Sequence, residues 1–172
     1  MIKQRNIQKK NILNSKLLFT NKEQDLFGKD FYIITVPTPL KKNNKPDLSP
    51  LKSASKTVGK HISKGSIIIY ESTVYPGCTE EDCIPILEKY SNLEFNKDFF
   101  CGYSPERINP GDKKRKLKDI VKVVSGSNKK TTNSVNKLYK SIIKAGTHIA
   151  PSIRVAEASK IIENVQRDVN IS

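Results

Sequence analysis

A chain of 172 residues has room for one ordinary domain with a real core, and not for two of typical size. Its formal charge of +14 would suit a polyanion, but the lysines are spread from Lys3 to Lys160 and only Lys113-Lys114-Arg115-Lys116 is dense, so the load reads mainly as solvated surface. Cys78, Cys83 and Cys101 form no CxxC pair and no even framework, and with only His61 and His148 beside them they argue against a disulfide scaffold or a metal centre, and for reduced thiols in a cytoplasmic setting.

From Met1 to about Lys29 the sequence is polar and has no clear fold of its own, and it lacks the apolar core of a signal peptide. No apolar run approaches the roughly 20 residues of a membrane span. Phe31 to Val36 then reads as a buried strand stopped by Pro37-Thr38-Pro39, since proline cannot continue a ladder. A helix follows, with Asp47 or Ser49 as cap and Pro50 in its first turn, carrying Leu51, Ala54, Val58 and Ile62 at helical spacing. The plan repeats with a strand at Ser66 to Tyr70, a turn at Glu71-Ser72-Thr73-Val74-Tyr75-Pro76-Gly77, and a helix from about Thr79 to Tyr90 whose start is suited by Thr79, Asp82 and the acids Glu80 and Glu81.

A third strand, Asp98 to Gly102, leads into Tyr103-Ser104-Pro105-Glu106-Arg107-Ile108-Asn109-Pro110-Gly111-Asp112. Two prolines bias the residues before them away from helix, so this is a stiff loop with a carboxylate and a guanidinium at its apex; the bland reading is a surface turn closed by an ion pair of Glu106 or Arg107. A fourth strand at Ile120 to Ser125, a helix from about Lys129 to Lys144, a short strand at Thr147 to Ala150 and a long helix from near Ser152 complete the chain. Strands alternating with helices predict right-handed βαβ units and a parallel α/β sheet of Rossmann-like type. Parallel strands would place Pro37-Thr38-Pro39, Glu71-Ser72-Thr73 and Ser104-Pro105-Glu106-Arg107 on one edge, where open α/β sheets bind ligands. On the last helix Lys160, Asn164 and Arg167 fall within roughly 60° of one another, with Ile161, Ile162, Val165 and Val169 on the other side. Its bland reading is a core helix with a polar outer stripe and an ordinary Glu163–Arg167 pair.

Four blocks, in order, resemble the UDP-glucose/GDP-mannose dehydrogenases: Val36-Pro37-Thr38-Pro39; Glu71 to Gly77; Tyr103 to Lys113; and Ala156-Glu157-Ala158-Ser159-Lys160 leading to Glu163-Asn164-Val165-Gln166-Arg167-Asp168-Val169-Asn170-Ile171. The third block, with Arg after Glu, is most similar to the branch that oxidises UDP-N-acetylhexosamines for surface polysaccharides. The resemblance implies oxidation of a sugar C6 alcohol to the acid with two NAD, through an aldehyde and cysteine-bound intermediates. It implies NAD contacts from Thr38 and Thr73, with Thr73 also positioning water. It implies an acid/base role for Glu106, a UDP-sugar site lined by Arg107 and Ile108, a catalytic lysine in Lys160, and substrate and oxyanion contacts from Asn164 and Arg167.

The resemblance covers less than half of a full-length member, truncated at both ends. None of the eight glycines forms a Gly-x-Gly, so the pyrophosphate turn of a dinucleotide site is not present, and none of the three cysteines matches the family's nucleophile. The expectation is therefore a leading segment at 1–29, the second half of an NAD-binding Rossmann-like domain at 30–151, and the start of a central-domain helix at 152–172. Such a fragment would be inactive alone or act with a complementing chain from a split gene, and the family's homodimer, built around the long helix, would have only part of its interface. The alternative is a non-catalytic basic α/β module that holds nucleic acid or another polyanion.

Overall fold

The computed structural model describes residues 17–106 and 117–171; Arg107, Ile108 and the Lys113-to-Lys116 cluster lie outside the described residues. Phe31–Ile34 (β1), Ile67–Tyr70 (β2), Phe100–Tyr103 (β3), Lys122–Gly126 (β4) and Thr147–Ile149 (β5) form one sheet in sequential order. Ser49–Gly59 (α1), Ile84–Ser91 (α2), Lys129–Lys140 (α3) and Ile153–Ile171 (α4) are the helices. β2 is buried along its whole length, as its unbroken Ile-Ile-Ile-Tyr run requires of a strand covered on both faces. Ile68 and Tyr70 join Tyr32, Ile34, Leu51, Leu87 and Ile153 on one face, while Ile67 and Ile69 pack with Val124 of β4 and Val135 and Tyr139 of α3 on the other. Phe31 and Ile33 of β1 stay exposed.

β1, β2 and β3 are parallel, and β4 and β5 are parallel to each other, but β4 runs antiparallel to β3. The sheet is thus mostly parallel rather than wholly so. Parallel neighbours need a crossover, usually a helix, and the only regular element among the described residues between β3 and β4 is a single turn at Leu117–Asp119. Two hydroxyls stitch the reversed pair, Ser104 Oγ donating to the Val123 carbonyl at 2.7 Å and Ser125 Oγ to the Tyr103 carbonyl at 2.9 Å.

Neither Asp47 nor Ser49 is the cap of α1: that position is Leu48, which has no side-chain cap bond, and Asp47 stands one residue before it, its carboxylate accepting from the Ser49 amide at 3.0 Å and hydroxyl at 2.6 Å. The second helix departs from expectation. Thr79–Cys83 is a wider π-type turn in which the Ile84 amide bonds the Thr79 carbonyl, and α2 proper begins only at Ile84. Pro85 has no N–H to give to the preceding turn, so a regular α-helix cannot run through it without loss. Asp82 does not turn back on Thr79; it pairs with Lys52 at 2.7 Å and accepts from the Tyr75 hydroxyl.

α4 overturns the bland reading of its polar stripe. Lys160 is 8% exposed, whereas Ile162, Val165 and Val169 are 65%, 55% and 69% exposed. The lysine face turns inward and the apolar stripe outward.

Candidate functional site

Because β1, β2 and β3 are parallel, the turns after them share one edge. They are tied together there. Ser72 Oγ donates to the Val36 carbonyl at 2.6 Å, the Glu71 amide to the Ile34 carbonyl at 3.0 Å, the Tyr103 hydroxyl to the Ser72 carbonyl at 3.1 Å and the Ser104 amide to the Tyr70 carbonyl at 2.9 Å. Thr38 and Thr73 sit in the first two turns. The Thr38 hydroxyl oxygen is buried and has no hydrogen-bond partner, an orphan in a position where a ligand atom would satisfy it. Thr73 is exposed at the edge, and Glu106, half-buried, closes the third turn.

α4 reaches this edge through Glu157, which is fully buried. Its carboxylate accepts the Gly77 amide at 2.5 Å and the Thr79 amide at 2.9 Å. Gly77, at φ +98°, takes a left-handed conformation in that turn. Burial raises the Glu157 carboxyl above its ordinary range, while the two amides pull it back.

One turn further along α4, Lys160 Nζ stands 3.6 Å from the Glu163 carboxylate, which also meets Arg167 at 3.3 Å. Burial pulls the Lys160 ammonium down from its ordinary value, against the attraction of Glu163 and, more weakly, of Glu106. The structure therefore brings Glu106 within electrostatic range of Lys160, on a helix face that also carries Asn164 and Arg167. Arg107 and Ile108 lie outside the described residues.

Three residues that sequence reasoning did not assign to the site meet at the same edge. Lys122, at the start of the reversed β4, is 3% exposed; its ammonium lies 3.1 Å from Glu71 and donates to the Ser104 carbonyl at 3.3 Å and the Pro105 carbonyl at 3.2 Å. The Tyr139 hydroxyl donates to the same Glu71 oxygen at 2.5 Å, and its ring lies 5.3 Å from the ammonium. A lone cation inside Ile120-Val121-Lys122-Val123-Val124 was the available signal, because a buried charge needs partners.

The cysteines are elsewhere. Cys78, Cys83 and Cys101 are all free and buried, and burial pushes the Cys101 thiol well up, so none is an exposed nucleophile. Among the described residues no helix is long and apolar enough to cross a membrane.

Residues 3–143 match the profile of the UDP-glucose/GDP-mannose dehydrogenase family, NAD binding domain, and NAD is the cofactor of that domain. The chain is 59% identical over 158 residues to UDP-N-acetyl-D-glucosamine 6-dehydrogenase of Pseudomonas aeruginosa, covering 92% of this chain and 37% of that protein. It is 55% identical to the enzyme of the same name from Salmonella typhi, over 91% of this chain and 37% of that protein. The solved structure of a UDP-D-ManNAc dehydrogenase from Pyrococcus horikoshii superposes with a TM-score of 0.81 at 37% identity, covering 88% of this chain and 36% of that one. The chain thus spans little more than a third of the length of these relatives. A profile that runs through the edge turns, over most of the sequence, leaves one conclusion: the chain belongs to the UDP-glucose/GDP-mannose dehydrogenase family.

Proposed function

We propose that this chain is the part of a nucleotide-sugar dehydrogenase that carries the acid/base and lysine side of the site, in an enzyme oxidising the C6 alcohol of a UDP-N-acetylhexosamine to the uronic acid with two NAD. Support comes from one observation above the others: the Thr38, Thr73 and Glu106 turns and the inward face of α4 meet at one sheet edge. The residue roles extend the family's chemistry to these positions, and a cytoplasmic location goes with them.

Thr38, with its orphaned hydroxyl, and Thr73 in the neighbouring turn would hold part of NAD, which when bound accepts the hydride. The fit is partial, because no Gly-x-Gly turn is among these residues to cradle a pyrophosphate. Lys160 stabilises negative charge developing on the C6 oxygen, and its burial strengthens that interaction while easing loss of its proton. Asn164, one turn on, adds an amide donor, and Arg167 with the Arg107-Ile108 segment faces the UDP-sugar. Glu106 moves the proton of the hydrolytic water, which Thr73 orients. Residues 30–151 form the nucleotide-binding portion and 152–172 begin the central helix. Alone the 172 residues are inactive, since neither a Gly-rich turn nor an exposed cysteine stands among them.

The test is a chimera in which this chain replaces the matching segment of the Pseudomonas aeruginosa relative. UDP-N-acetylglucosamine should then drive NADH formation, and Lys160→Met or Glu106→Gln should each lower kcat by about 100-fold or more. A folded chimera that binds NAD yet does not turn over would sink the proposal, and NADH formation by the 172-residue chain alone would remove its claim of inactivity.

A further inference from the structure

We infer that Lys122 is a positioning residue for this site: it fastens the turn after β2 to the turn after β3 and so fixes where Glu106 stands. The inference rests on the proposed role of Glu106 for its functional meaning, but its geometry is independent of that role.

An ammonium has three N–H groups, and three acceptors surround this one: the Glu71 carboxylate at 3.1 Å, the Ser104 carbonyl at 3.3 Å and the Pro105 carbonyl at 3.2 Å. Glu71 belongs to the turn that presents Thr73. The Pro105 carbonyl belongs to the peptide unit that enters Glu106, so holding that oxygen sets the plane from which the Glu106 side chain departs. On the far side Ser104 Oγ bonds the Val123 carbonyl, the neighbour of Lys122 in β4. α3 completes the arrangement through Tyr139, whose hydroxyl gives Glu71 a second donor and whose ring lies against the cation. Tyr139 also lies close enough to Glu106 to feel its charge.

Packing alone does not account for this residue. A strand position 3% exposed and followed by two buried valines would be filled at lower cost by an apolar side chain, because a buried ammonium and a partly buried carboxylate must be desolvated. What the lysine adds is direction, since each of the three acceptors around its ammonium lies in one of two site-forming turns. The reversal of β4 makes this possible. It brings the start of that strand to the edge where β1, β2 and β3 end.

Nuclear magnetic resonance of the 172-residue chain tests the inference, following amide exchange at Glu71, Ser104 and Glu106 and the Glu106 carboxyl carbon. Lys122→Met should accelerate exchange at these amides about tenfold or more and move the Glu106 signal, while Lys122→Arg keeps both near wild type. Should Lys122→Met leave the Glu71 charge too poorly compensated for the chain to fold, Glu71→Gln with Lys122→Met removes both charges and decides the matter. That double variant should recover its melting temperature without recovering the protection of Glu106. A folded Lys122→Met or double variant with unchanged Glu106 signals would overturn the inference, leaving Lys122 a structural ion-pair partner only. The readout needs neither NAD nor a UDP-sugar, so an inactive chimera with an ordered Glu106 turn would count against the proposed function and not against Lys122.

Discussion

At Lys160, stability and chemistry pull in opposite directions. Its side chain is withdrawn from water and its proton is held less tightly than in the unfolded chain, because burial disfavours the charged form. The sign follows: folding is disfavoured by this group at neutral pH, and stability rises as pH climbs through the lowered value toward the ordinary 10.5. Lys160→Met should therefore stabilise the chain near pH 7 by about 1 kcal/mol and erase that alkaline gain, as read by urea unfolding between neutral pH and pH 10. Glu163 keeps Arg167 as partner in the variant. Glu157 is the counter-case, a buried carboxylate whose two amide donors would be orphaned by Glu157→Ala. That change should cost about 2 kcal/mol or more in the same measurement.

Among the elements, α3 shows how a short local code supports a distant site. Asn128 caps it, its side-chain oxygen accepting the Thr131 amide at 2.8 Å and the Thr131 hydroxyl at 3.0 Å. Gly126, just before, lies so close to the helix that a Cβ would come within 2.5 Å of the Thr132 amide nitrogen. Asn128→Ala should cost about 1 kcal/mol, and Gly126→Ala about 2 kcal/mol or more because the backbone itself must move, both measurable as shifts in the urea midpoint. The elements themselves were legible in the sequence. Unbroken runs such as Ile67-Ile68-Ile69-Tyr70 announce a doubly covered strand, and Asp47 before Ser49-Pro50 announces a helix start. The direction of β4 was not legible, because it depends on what lies between Glu106 and Lys122 and not on any pattern within the strand. Nor was the facing of α4, where an apolar stripe suggested a core side that the fold turns outward. The edge turns were readable from their prolines and charges, whereas Lys122 and Tyr139 join them only through a reversed strand and a helix on the other face of the sheet.

For the molecule as a whole, charge and uncovered apolar surface set the behaviour in solution. A formal charge of +14 spread over the surface attracts any polyanion without specifying one. Weak retention on DNA should fall steeply with salt and vanish near about 0.15 M; persistence of tight binding there would favour the basic-module reading over the dehydrogenase one. Phe31 and Ile33 along β1, and Ile162, Val165 and Val169 along α4, are apolar faces that the described residues leave open to water. The crowd of cationic side chains has one further consequence. An amine-acylating reagent finds most of the lysines in water, but at Lys122 it finds an ammonium 3% exposed whose three hydrogens are all engaged. Acylation at that position must wait for the two turns to part, so mass spectrometry of labelled peptides over time makes Lys122 a clock for the opening of the site, read against the fast background of its exposed neighbours.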